Sequence, residues 1–417
     1  MSSSESKQTP SSYHFETPLL DAQHPSLLHS ISDQGGYAFV TMAALAAAGD
    51  SCAAETAADM AWEQLHSGPS SSVLPIWSDA YSMACLYLAR LHFAGGEFKE
   101  ALRVLDMGLI MGGSRLRSDL DSAIAKVSAE ARIVRVLDVA AEDGLMESSL
   151  GCDERNKEVA RDLPVKSLTN KMVVKMSGLS LEGFLREYFQ PGFPVIVSDG
   201  MAHWPARTKW KSLDYLHRVA GNRTIPVEVG NNYLHPQWKQ QLITFSEFLD
   251  RIQSNDPSHH NNITYLAHHP LFDQINELRD DICVPDYCSV GGGELRSLNA
   301  WFGPDGIVTP LHHDPHHTMV AQVLGKKYIR LYDASLSEEL YPYNTETMLC
   351  NSSQVDLDNI DEKEFGKVVD LEFVDCILEE GEMLYIPPKW WHYGRSLTTS
   401  FSVSFWWNNC DENSSAS

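Results

Sequence analysis

The stretch WFGPDGIVTPLHHDPHHTMVAQVLGKKYIRLY, residues 301–332, decides the fold of this chain. In its second half, TMVAQVL and KYIRLYD alternate between two faces as β-strands do, and Gly325-Lys326 lies between them. We predict that these two segments form a hairpin that turns at Gly325-Lys326. Further on, MLYIPP, WWHYGRSL and SFSVSFWW predict three more strands. The pattern therefore indicates an antiparallel β-barrel at the end of the chain.

A metal site is predicted within the same stretch. His312 and Asp314 are two positions apart, and on a strand such residues face the same side. His392, in PPKWWHYGRSL, begins another strand that barrel closure can bring opposite them. Two histidines and one carboxylate form the facial triad of non-heme Fe(II) oxygenases. Zinc hydrolases use the same ligand types, so this motif by itself leaves both metals open.

The other histidines near this motif are not predicted to bind the metal. His313 should point to the opposite face of the strand, because it lies between the two candidate ligands. His316 and His317 follow a proline and are expected to make local hydrogen bonds instead. The pairs His259-His260 and His268-His269 lie in loops or near strand ends, and we do not expect them to be ligands either.

A buried cation is needed if 2-oxoglutarate is the co-substrate, because its distal carboxylate must be neutralised inside the barrel. Lys327 lies on the strand that follows the predicted turn, where alternation can place it on the metal-facing side. The alternative is a solvated turn lysine, like its neighbour Lys326. The residues leave both possibilities open.

The first part of the chain has a different pattern. Ala and Leu recur at helical spacing, and in WSDAYSMACLYLARLHFAGGEFKEALRVLDMGLIMGG two helices flank a Gly95-Gly96 turn. This pair resembles a tetratricopeptide-like hairpin, which serves either as scaffolding or as a binding surface for a protein partner. We predict a disordered tail at 1–12, an α-helical domain at 13–150, a catalytic domain at 165–409 and a disordered tail at 410–417.

Composition narrows the classes of partner. The chain has 32 basic and 56 acidic residues, for a formal net charge of −24. Such a surface repels phosphate backbones, so no direct nucleic-acid binding is expected. A basic protein substrate, such as a histone tail, suits this charge. The alternative is that the acidity only keeps the protein soluble.

The cysteines and the apolar stretches suggest where the protein works. The eight cysteines include no CxxC pair, so neither a zinc pattern nor a disulfide framework is indicated. We therefore expect a reducing compartment, the nucleus or the cytoplasm. No secretory signal is visible, and the apolar stretch at 37–48 is too short to span a bilayer.

Several motifs together resemble the jumonji-C family. They are PVIVSDGMAHWPA, RTIPVEVG, ITYLAHHPLFDQI, WFGPDGIVTPLHHDP, QVLGKKYIRLY, ELYPY, NSSQVD, GEMLYIPPKWWHY and SFSVSFWW. The similarity runs from about residue 165 to 408. It is greatest to the group of lysine demethylase eight, also called jumonji domain-containing protein five. The chain resembles a plant member of this group. The resemblance implies an all-β double-stranded β-helix of the jumonji-C or cupin type, with flanking helices, preceded by an α-helical N-terminal domain.

The resemblance also implies roles for individual residues. The positions that match the iron ligands are His312, Asp314 and His392. The positions that match the 2-oxoglutarate site are Lys327, Tyr265, Thr309 and Thr318. Relatives in animals carry Asn where this chain has Thr318, and a short hydroxyl does not reproduce the contacts of an amide.

The substrate mouth implied by the resemblance is lined by Glu228, Tyr233, Trp301 and Trp406. An acid framed by aromatic rings suits a guanidinium or a methylated ammonium. The alternative is that the two tryptophans belong to the barrel core.

The implied activity is that of an Fe(II)- and 2-oxoglutarate-dependent protein oxygenase that consumes O₂, acting as a histone lysine demethylase. The resemblance also implies that the protein is a chromatin regulator with a link to the circadian rhythm. Stable hydroxylation of arginyl side chains is the main alternative, and Glu228 suits it. A non-enzymatic cupin that binds partners, and a zinc-dependent isomerase or hydrolase, are further alternatives.

Overall fold

The structure is a computed structural model that describes residues 13–69, 72–139, 163–169, 171–230, 232–254, 263–345 and 347–409. The predicted tails, most of the predicted linker between the domains and the pair His259-His260 lie outside the described residues. The chain divides into two compact units, Met1–Met146 with Asn222–Thr224, and Glu147–Gly221 with Ile225–Ser417. The predicted domain limits at 150 and 165 remain predictions.

The first unit is built from helices. Within the described residues they are α1 (Pro18–Asp33), α2 (Tyr37–Ala47), α3 (Ser51–Leu65), α4 (Ile76–Ala94), α5 (Phe98–Met111) and α6 (Arg117–Val139). Helix α4 is the centre of the unit, because it contacts each of the other helices. All residues from Asp79 to Tyr87 are buried. A helix that is apolar on every face is stable only when other helices surround it.

Two contacts show how this unit closes. The N-terminus of α1 has no side-chain cap of its own, and Asp119 on α6 accepts hydrogen bonds from Leu19 N (3.2 Å) and Leu20 N (2.7 Å). The carboxylate therefore satisfies backbone N–H groups that would lack partners and complements the helix dipole. Helices α4 and α5 form the predicted hairpin, with Gly96 at φ 79° in the turn between them.

The stretch Asn222–Thr224 adds a buried ion pair to the helical unit. Arg223 Nη2 lies 2.6 Å from Asp106 Oδ1, and Thr224 N donates to Asp106 Oδ2 at 2.7 Å. The Asp106 side chain is 0% exposed and that of Arg223 is 5% exposed. A buried carboxylate is tolerated here because it has both a cation and a backbone donor.

The second unit is mainly β-structure. Its strands within the described residues are β1 (Lys171–Met172), β2 (Val174–Met176), β3 (Val195–Val197), β4 (Thr224–Val229), β5 (Lys239–Thr244), β6 (Thr264–His269), β7 (Leu295–Gly303), β8 (Val308–His313), β9 (His317–Leu324), β10 (Lys327–Tyr332), β11 (Val374–Leu378), β12 (Met383–Ile386), β13 (Trp391–Ser396) and β14 (Ser400–Trp407).

Short helices flank these strands. They are α7 (Leu181–Phe184), which continues as a π-helix (Leu185–Phe189), α8 (Ala206–Lys209), α9 (Leu213–Ala220), α10 (Phe245–Gln253), α11 (Leu271–Gln274), α12 (Asn276–Arg279) and α13 (Glu362–Phe365), with 3₁₀ turns at Asp286–Ser289, Ala334–Leu340 and Gly366–Asp370. Helices α9 and α10 are capped by Ser212 and Thr244, whose hydroxyls accept from Tyr215 N and Glu247 N.

The described strands form two sheets. One has the order β1-β11-β10-β13-β8, and the other has the order β2-β3-β12-β9-β14-β7-β6-β4-β5. Side chains from both sheets meet in one buried cluster, with Ile329 and Leu331 from the first sheet and Ile196, Leu384 and Ile386 from the second. This arrangement confirms the predicted fold class, a double-stranded β-helix with flanking helices after an α-helical region.

The predicted hairpin across Gly325-Lys326 is wrong. Strand β9 pairs with β12 and β14, whereas β10 pairs with β11 and β13, so the chain passes from one sheet to the other at this point. Gly325 permits the change because its φ is 74° and a Cβ there would lie 2.1 Å from Thr399 O. Strand β10 is buried along its whole length. Strands that are buried on both faces carry no signal that tells which strand is the neighbour.

Candidate active site

Two neighbouring strands bring the three candidate metal ligands together. His312 on β8 and His392 on β13 are directly opposite in the antiparallel register, and Asp314 follows β8. The N–H of Lys389 donates to Asp314 O at 2.7 Å, which holds the two ligand-bearing segments against each other. One ligand atom from each of the three residues lies within 4.8 Å of the others, and His392 Nε2 is 3.7 Å from Asp314 Oδ2.

Backbone carbonyls orient both histidine rings. His312 Nδ1 lies 2.8 Å from Pro310 O, and His392 Nδ1 lies 3.1 Å from Trp390 O. A carbonyl oxygen only accepts, so each Nδ1 carries the hydrogen and each Nε2 keeps a free lone pair. Burial, with a smaller contribution from His312, lowers the pKa of His392 to about 4. The ring is therefore neutral near pH 7, as a metal ligand must be.

The neighbouring histidines lie where the strand pattern predicts. His313 turns away from the triad and packs edge to face on Trp391, with 4.7 Å between ring centroids. His316 Nδ1 hydrogen-bonds Asn408, and His317 Nδ1 lies 2.8 Å from the Tyr385 hydroxyl. Among the described residues, the triad is the only His, Cys, Asp and Glu group that could hold a metal ion.

Lys327 is a buried cation at the first position of β10. Its side chain has no carboxylate partner among the described residues, and its one hydrogen bond there goes from Nζ to the Tyr265 hydroxyl at 3.4 Å. Burial lowers the pKa of Lys327 to about 7. A buried ammonium without a counter-charge is costly, so this position fits an anionic ligand. The arrangement excludes a solvated turn lysine, and its neighbour Lys326 is half-buried and pairs with Glu379 at 3.2 Å.

Two of the three residues predicted beside Lys327 line one pocket. Tyr265 and Thr309 line it, and the Tyr265 hydroxyl is hydrogen-bonded with Thr309. Thr318 is buried on β9, but its hydroxyl donates to His316 O at 3.4 Å rather than pointing freely into the pocket. Tyr265 therefore connects Lys327 with this pocket, and Thr309 lies beside Tyr265.

Three of the four predicted substrate residues line the same pocket. They are Glu228, Tyr233 and Trp301. Burial raises the pKa of Glu228, while the nearby Trp238 indole lowers it by less. The Trp301 indole N–H donates to Ser404 Oγ at 2.8 Å, which fixes the ring. Trp406 is half-buried two positions beyond Ser404 on β14, but it is not among the residues that line this pocket.

Two residues of the site were not predicted as site residues from the sequence. Ser352 forms a bridge with His312, and its hydroxyl lies 3.0 Å from the Tyr233 hydroxyl. His268 lines the pocket with its ring against Trp301, at 4.2 Å between ring centroids. The local sequence indicates neither position, because a loop brings Ser352 to the site and an irregularity in β6 brings His268 there.

A cupin-type barrel that presents two histidines and a carboxylate beside a buried lysine defines the jumonji-C class of oxygenases. Two family models match the chain, "KDM8-like, N-terminal ARM repeats" over residues 17–141 and "Cupin-like domain" over residues 181–413. The chain belongs to this jumonji-C family, in the group of lysine-specific demethylase 8. This membership confirms the family and the group predicted from the motifs.

Individual relatives cover most of the chain. Lysine-specific demethylase JMJ30 of Arabidopsis thaliana is 65% identical over 413 residues, 96% of this chain and 96% of the relative. Lysine-specific demethylase 8 of Xenopus tropicalis is 37% identical, over 84% of this chain and 87% of the relative. Jumonji C domain-containing protein 5 of Drosophila melanogaster is 35% identical, over 88% of this chain and 90% of the relative. The Arabidopsis relative agrees with the predicted plant membership.

The comparisons also bear on the helical region. The matching family model describes ARM repeats, whereas the α4–α5 pair alone resembled a tetratricopeptide hairpin.

None of the described helices combines the length and the apolar character that a membrane-spanning helix needs.

Proposed function

We propose that this chain is an Fe(II)- and 2-oxoglutarate-dependent lysine demethylase that acts on a histone tail or another basic protein segment. The observation that carries the proposal is that neighbouring strands of one sheet, β8, β13 and β10, contribute two incomplete sites, a His-Asp-His triad and a buried lysine, Lys327, that lacks a counter-charge among the described residues. The similarity to proteins named lysine-specific demethylases supports the choice of reaction.

The donor set of the triad fits Fe(II). His312 Nε2, His392 Nε2 and one oxygen of Asp314 would hold the metal on one face. Bound Fe(II) supplies, with 2-oxoglutarate and O₂, the oxidation of a substrate C–H bond to an alcohol. The chain's own contribution is to keep both rings in the tautomer that leaves Nε2 free, through the carbonyls of Pro310 and Trp390.

Lys327 would pair with the distal carboxylate of 2-oxoglutarate, and the Tyr265 hydroxyl, hydrogen-bonded with Thr309, would donate to it. Thr318 has a short hydroxyl that is already hydrogen-bonded to His316 O, so its side chain would form part of the wall of the site and would not donate to the ligand. These contacts would orient the co-substrate so that its other end reaches the triad.

The pocket that Tyr265 and Thr309 line would also bind a cationic side chain. Glu228 supplies a partly buried carboxylate, and Tyr233 and Trp301 supply aromatic walls. Trp406 would extend this wall from β14. Hydroxylation of an N-methyl carbon gives an unstable product that loses formaldehyde, and the net result is demethylation.

Arginyl hydroxylation is the second candidate, and Glu228 favours it. A carboxylate matches the planar fork of a guanidinium better than it matches a methylated ammonium. The two reactions share the triad, the co-substrate and the pocket, and they differ only in the carbon that is oxidised.

Matched peptides decide between these functions. The full chain is incubated with Fe(II), 2-oxoglutarate and peptides that differ only in one arginine or methyl-lysine, and succinate and peptide mass are measured. Loss of a methyl group supports demethylation, and gain of one oxygen supports arginyl hydroxylation.

Controls address the two non-oxygenase alternatives. A non-enzymatic cupin would show no rise in melting temperature with Fe(II) and 2-oxoglutarate together, whereas the proposal requires one. A zinc enzyme would retain zinc after purification and would be inactive with Fe(II), which metal analysis and reconstitution measure.

The cellular role that we propose follows from the substrate. A histone-directed demethylase acts in the nucleus as a chromatin regulator, and a role in the circadian rhythm would be exerted there. We also propose that part of the protein is in the cytoplasm and that the helical region, residues 13–150, binds a protein partner. The acidic charge of −24 suits basic partners and disfavours direct contact with nucleic acid.

A further inference from the structure

His268 occupies its place in the pocket through two departures from regular strand geometry. Between Leu266, which pairs with Phe302, and His269, which pairs with Ala300, β6 contains one more residue than β7. This β-bulge redirects the side chains that follow it. His268 also has φ 52°, in the left-handed region that non-glycine residues seldom adopt.

These departures turn His268 towards the pocket. In a regular strand Tyr265 and Ala267 would share one face, and His268 would lie on the other with the buried Leu266. In the structure Tyr265, Ala267 and His268 all line the pocket. Backbone strain beside a bulge persists where the surrounding fold enforces it, and such positions cluster at functional sites.

The ring of His268 is held in place but is not hydrogen-bonded. It contacts Trp301 edge to face, with 4.2 Å between ring centroids and 65° between ring planes. No residue in the described part of the chain hydrogen-bonds its ring nitrogens, and His268 is an exposed residue that lines the pocket. His268 therefore offers one N–H donor and one nitrogen acceptor to whatever enters.

The electrostatic setting keeps this acceptor available. Partial desolvation by the surrounding protein, with a smaller contribution from His312, lowers the pKa of His268 below its ordinary value. A neutral imidazole adds no positive charge that would repel a cation. The same pocket contains the carboxylate of Glu228, so two hydrogen-bond acceptors face an incoming cationic head group.

We propose that His268 is a substrate-binding residue whose ring nitrogen accepts an N–H from the cationic head group, so that the pocket selects cations that retain N–H groups. A guanidinium and a monomethyl- or dimethylammonium satisfy this requirement, whereas a trimethylammonium has no N–H to donate. This inference rests on the proposed function, because it assumes that the pocket receives a cationic side chain.

The test measures binding without turnover. The full chain is loaded with Mn(II) and 2-oxoglutarate, and calorimetry gives its affinity for four peptides of one basic sequence, with arginine, monomethyl-, dimethyl- or trimethyl-lysine at the same position. We expect the wild type to bind the arginine and monomethyl-lysine peptides about tenfold or more tightly than the trimethyl-lysine peptide, since a hydrogen bond to a charged group has that strength.

Two variants isolate the hydrogen bond from the ring contact. His268→Phe keeps an aromatic edge against Trp301 but removes one of the two acceptors, and it should reduce the discrimination several-fold by weakening only the N–H-bearing peptides, while Glu228 retains the remainder. His268→Asn tolerates the left-handed backbone and retains an acceptor, so it should preserve part of the discrimination. The melting temperature and the shift caused by 2-oxoglutarate serve as controls for folding.

The outcomes separate this inference from the proposed function. Equal affinity of the wild type for all four peptides, or undiminished discrimination by His268→Phe, overturns the role of His268 even when 2-oxoglutarate stabilises the protein. If His268→Phe does not fold, the affinity ratios of the wild type and of His268→Asn test the role of His268. Complete loss of discrimination in His268→Asn then counts against the proposal. Absence of any 2-oxoglutarate shift in the wild type instead rejects the proposed function.

Discussion

The helical unit around Asp106 and the barrel around Lys327 and Glu228 treat charged side chains differently, whereas elsewhere in the barrel the buried Asp281 is paired with Lys209 at 2.6 Å. In the helical unit Asp106 receives the Arg223 guanidinium at 2.6 Å and the Thr224 N–H at 2.7 Å. In the barrel, Lys327 has no carboxylate partner and Glu228 has no cationic partner among the described residues. The first charge is neutralised by the protein, and the other two are not.

This difference separates charges that serve the fold from charges that serve a ligand. A buried ion pair with a complete set of hydrogen bonds contributes to one well-defined arrangement, and loss of either partner leaves an uncompensated charge. A buried charge without a partner opposes folding, so its presence indicates that a ligand completes it. The barrel therefore contains the site, although both units are well packed.

The largest expected effect is on turnover. His312→Ala or Asp314→Ala should abolish 2-oxoglutarate consumption and leave the melting temperature nearly unchanged, because each side chain faces the metal position rather than the core. Succinate release and thermal melting measure the two quantities. His313→Ala is the control and should retain most activity, since its ring packs on Trp391. An essential His313 beside a dispensable His312 would reverse our assignment of the strand faces.

The next effect is on the stability of the helical unit. Asp106→Ala leaves the Arg223 guanidinium buried without its partner, and such a loss costs about 3–5 kcal/mol in the free energy of unfolding. Chemical denaturation followed by circular dichroism measures it. Glu100→Ala on the same helix is the matched control. Its partner Arg103 is 52% exposed, and a surface ion pair contributes little to the free energy of unfolding. Similar losses in both variants would remove the distinction between buried and surface pairs.

The opposite response is expected in the barrel. Lys327→Met removes a charge that has no partner, so it should not lower the melting temperature of the ligand-free protein. It should weaken 2-oxoglutarate binding by about 3–5 kcal/mol, because the distal carboxylate is then buried alone. Calorimetry measures the affinity, and Lys326→Met, which loses only a surface ion pair with Glu379, is the control. Wild-type affinity in Lys327→Met would assign the distal carboxylate to another group.

A smaller effect is expected at the substrate side of the pocket. Glu228→Gln retains the shape of the side chain but removes its charge, and a hydrogen bond to a charged group is worth about 1.5–3 kcal/mol. Peptide affinity should fall by that amount while 2-oxoglutarate affinity stays the same. Asp305→Asn, an exposed acidic residue before β8, is the control for general charge effects. If both variants weaken peptide binding equally, the attraction comes from the whole acidic surface and not from the pocket.

The smallest effect is a pH dependence of co-substrate binding. Burial places the pKa of Lys327 at about 7, below its ordinary value of 10.5, and only the ammonium form pairs with a carboxylate. Affinity for 2-oxoglutarate should therefore be constant below pH 7 and fall at most about tenfold per pH unit above it. Titration calorimetry in Lys327→Met should show this slope removed. A wild-type affinity that does not fall between pH 7 and pH 9 would contradict the lowered pKa.

Local pattern was enough to predict much of the site. The strand period places His312 and Asp314 on one face, and the structure brings their ligand atoms together with that of His392. The face of Lys327 was ambiguous in the sequence, and the structure buries it. The roles of these residues as ligands of iron and of 2-oxoglutarate remain proposals that the experiments above test.

The sequence by itself predicted helices in the first part of the chain, an antiparallel barrel at its end and the three candidate metal ligands. Each of these follows from local periodicity or from motifs of a few residues, such as HHD at 312–314.

Only the tertiary structure decided which strands pair and which side chains leave the regular alternation. Strands β9 and β10 enter different sheets, Arg223 joins the helical unit, and a bulge turns His268 into the pocket. The physical reason is that alternation specifies the face of a residue but not the partner across the ladder. The partner is chosen by the packing of residues far apart in the chain, which no local window of sequence contains.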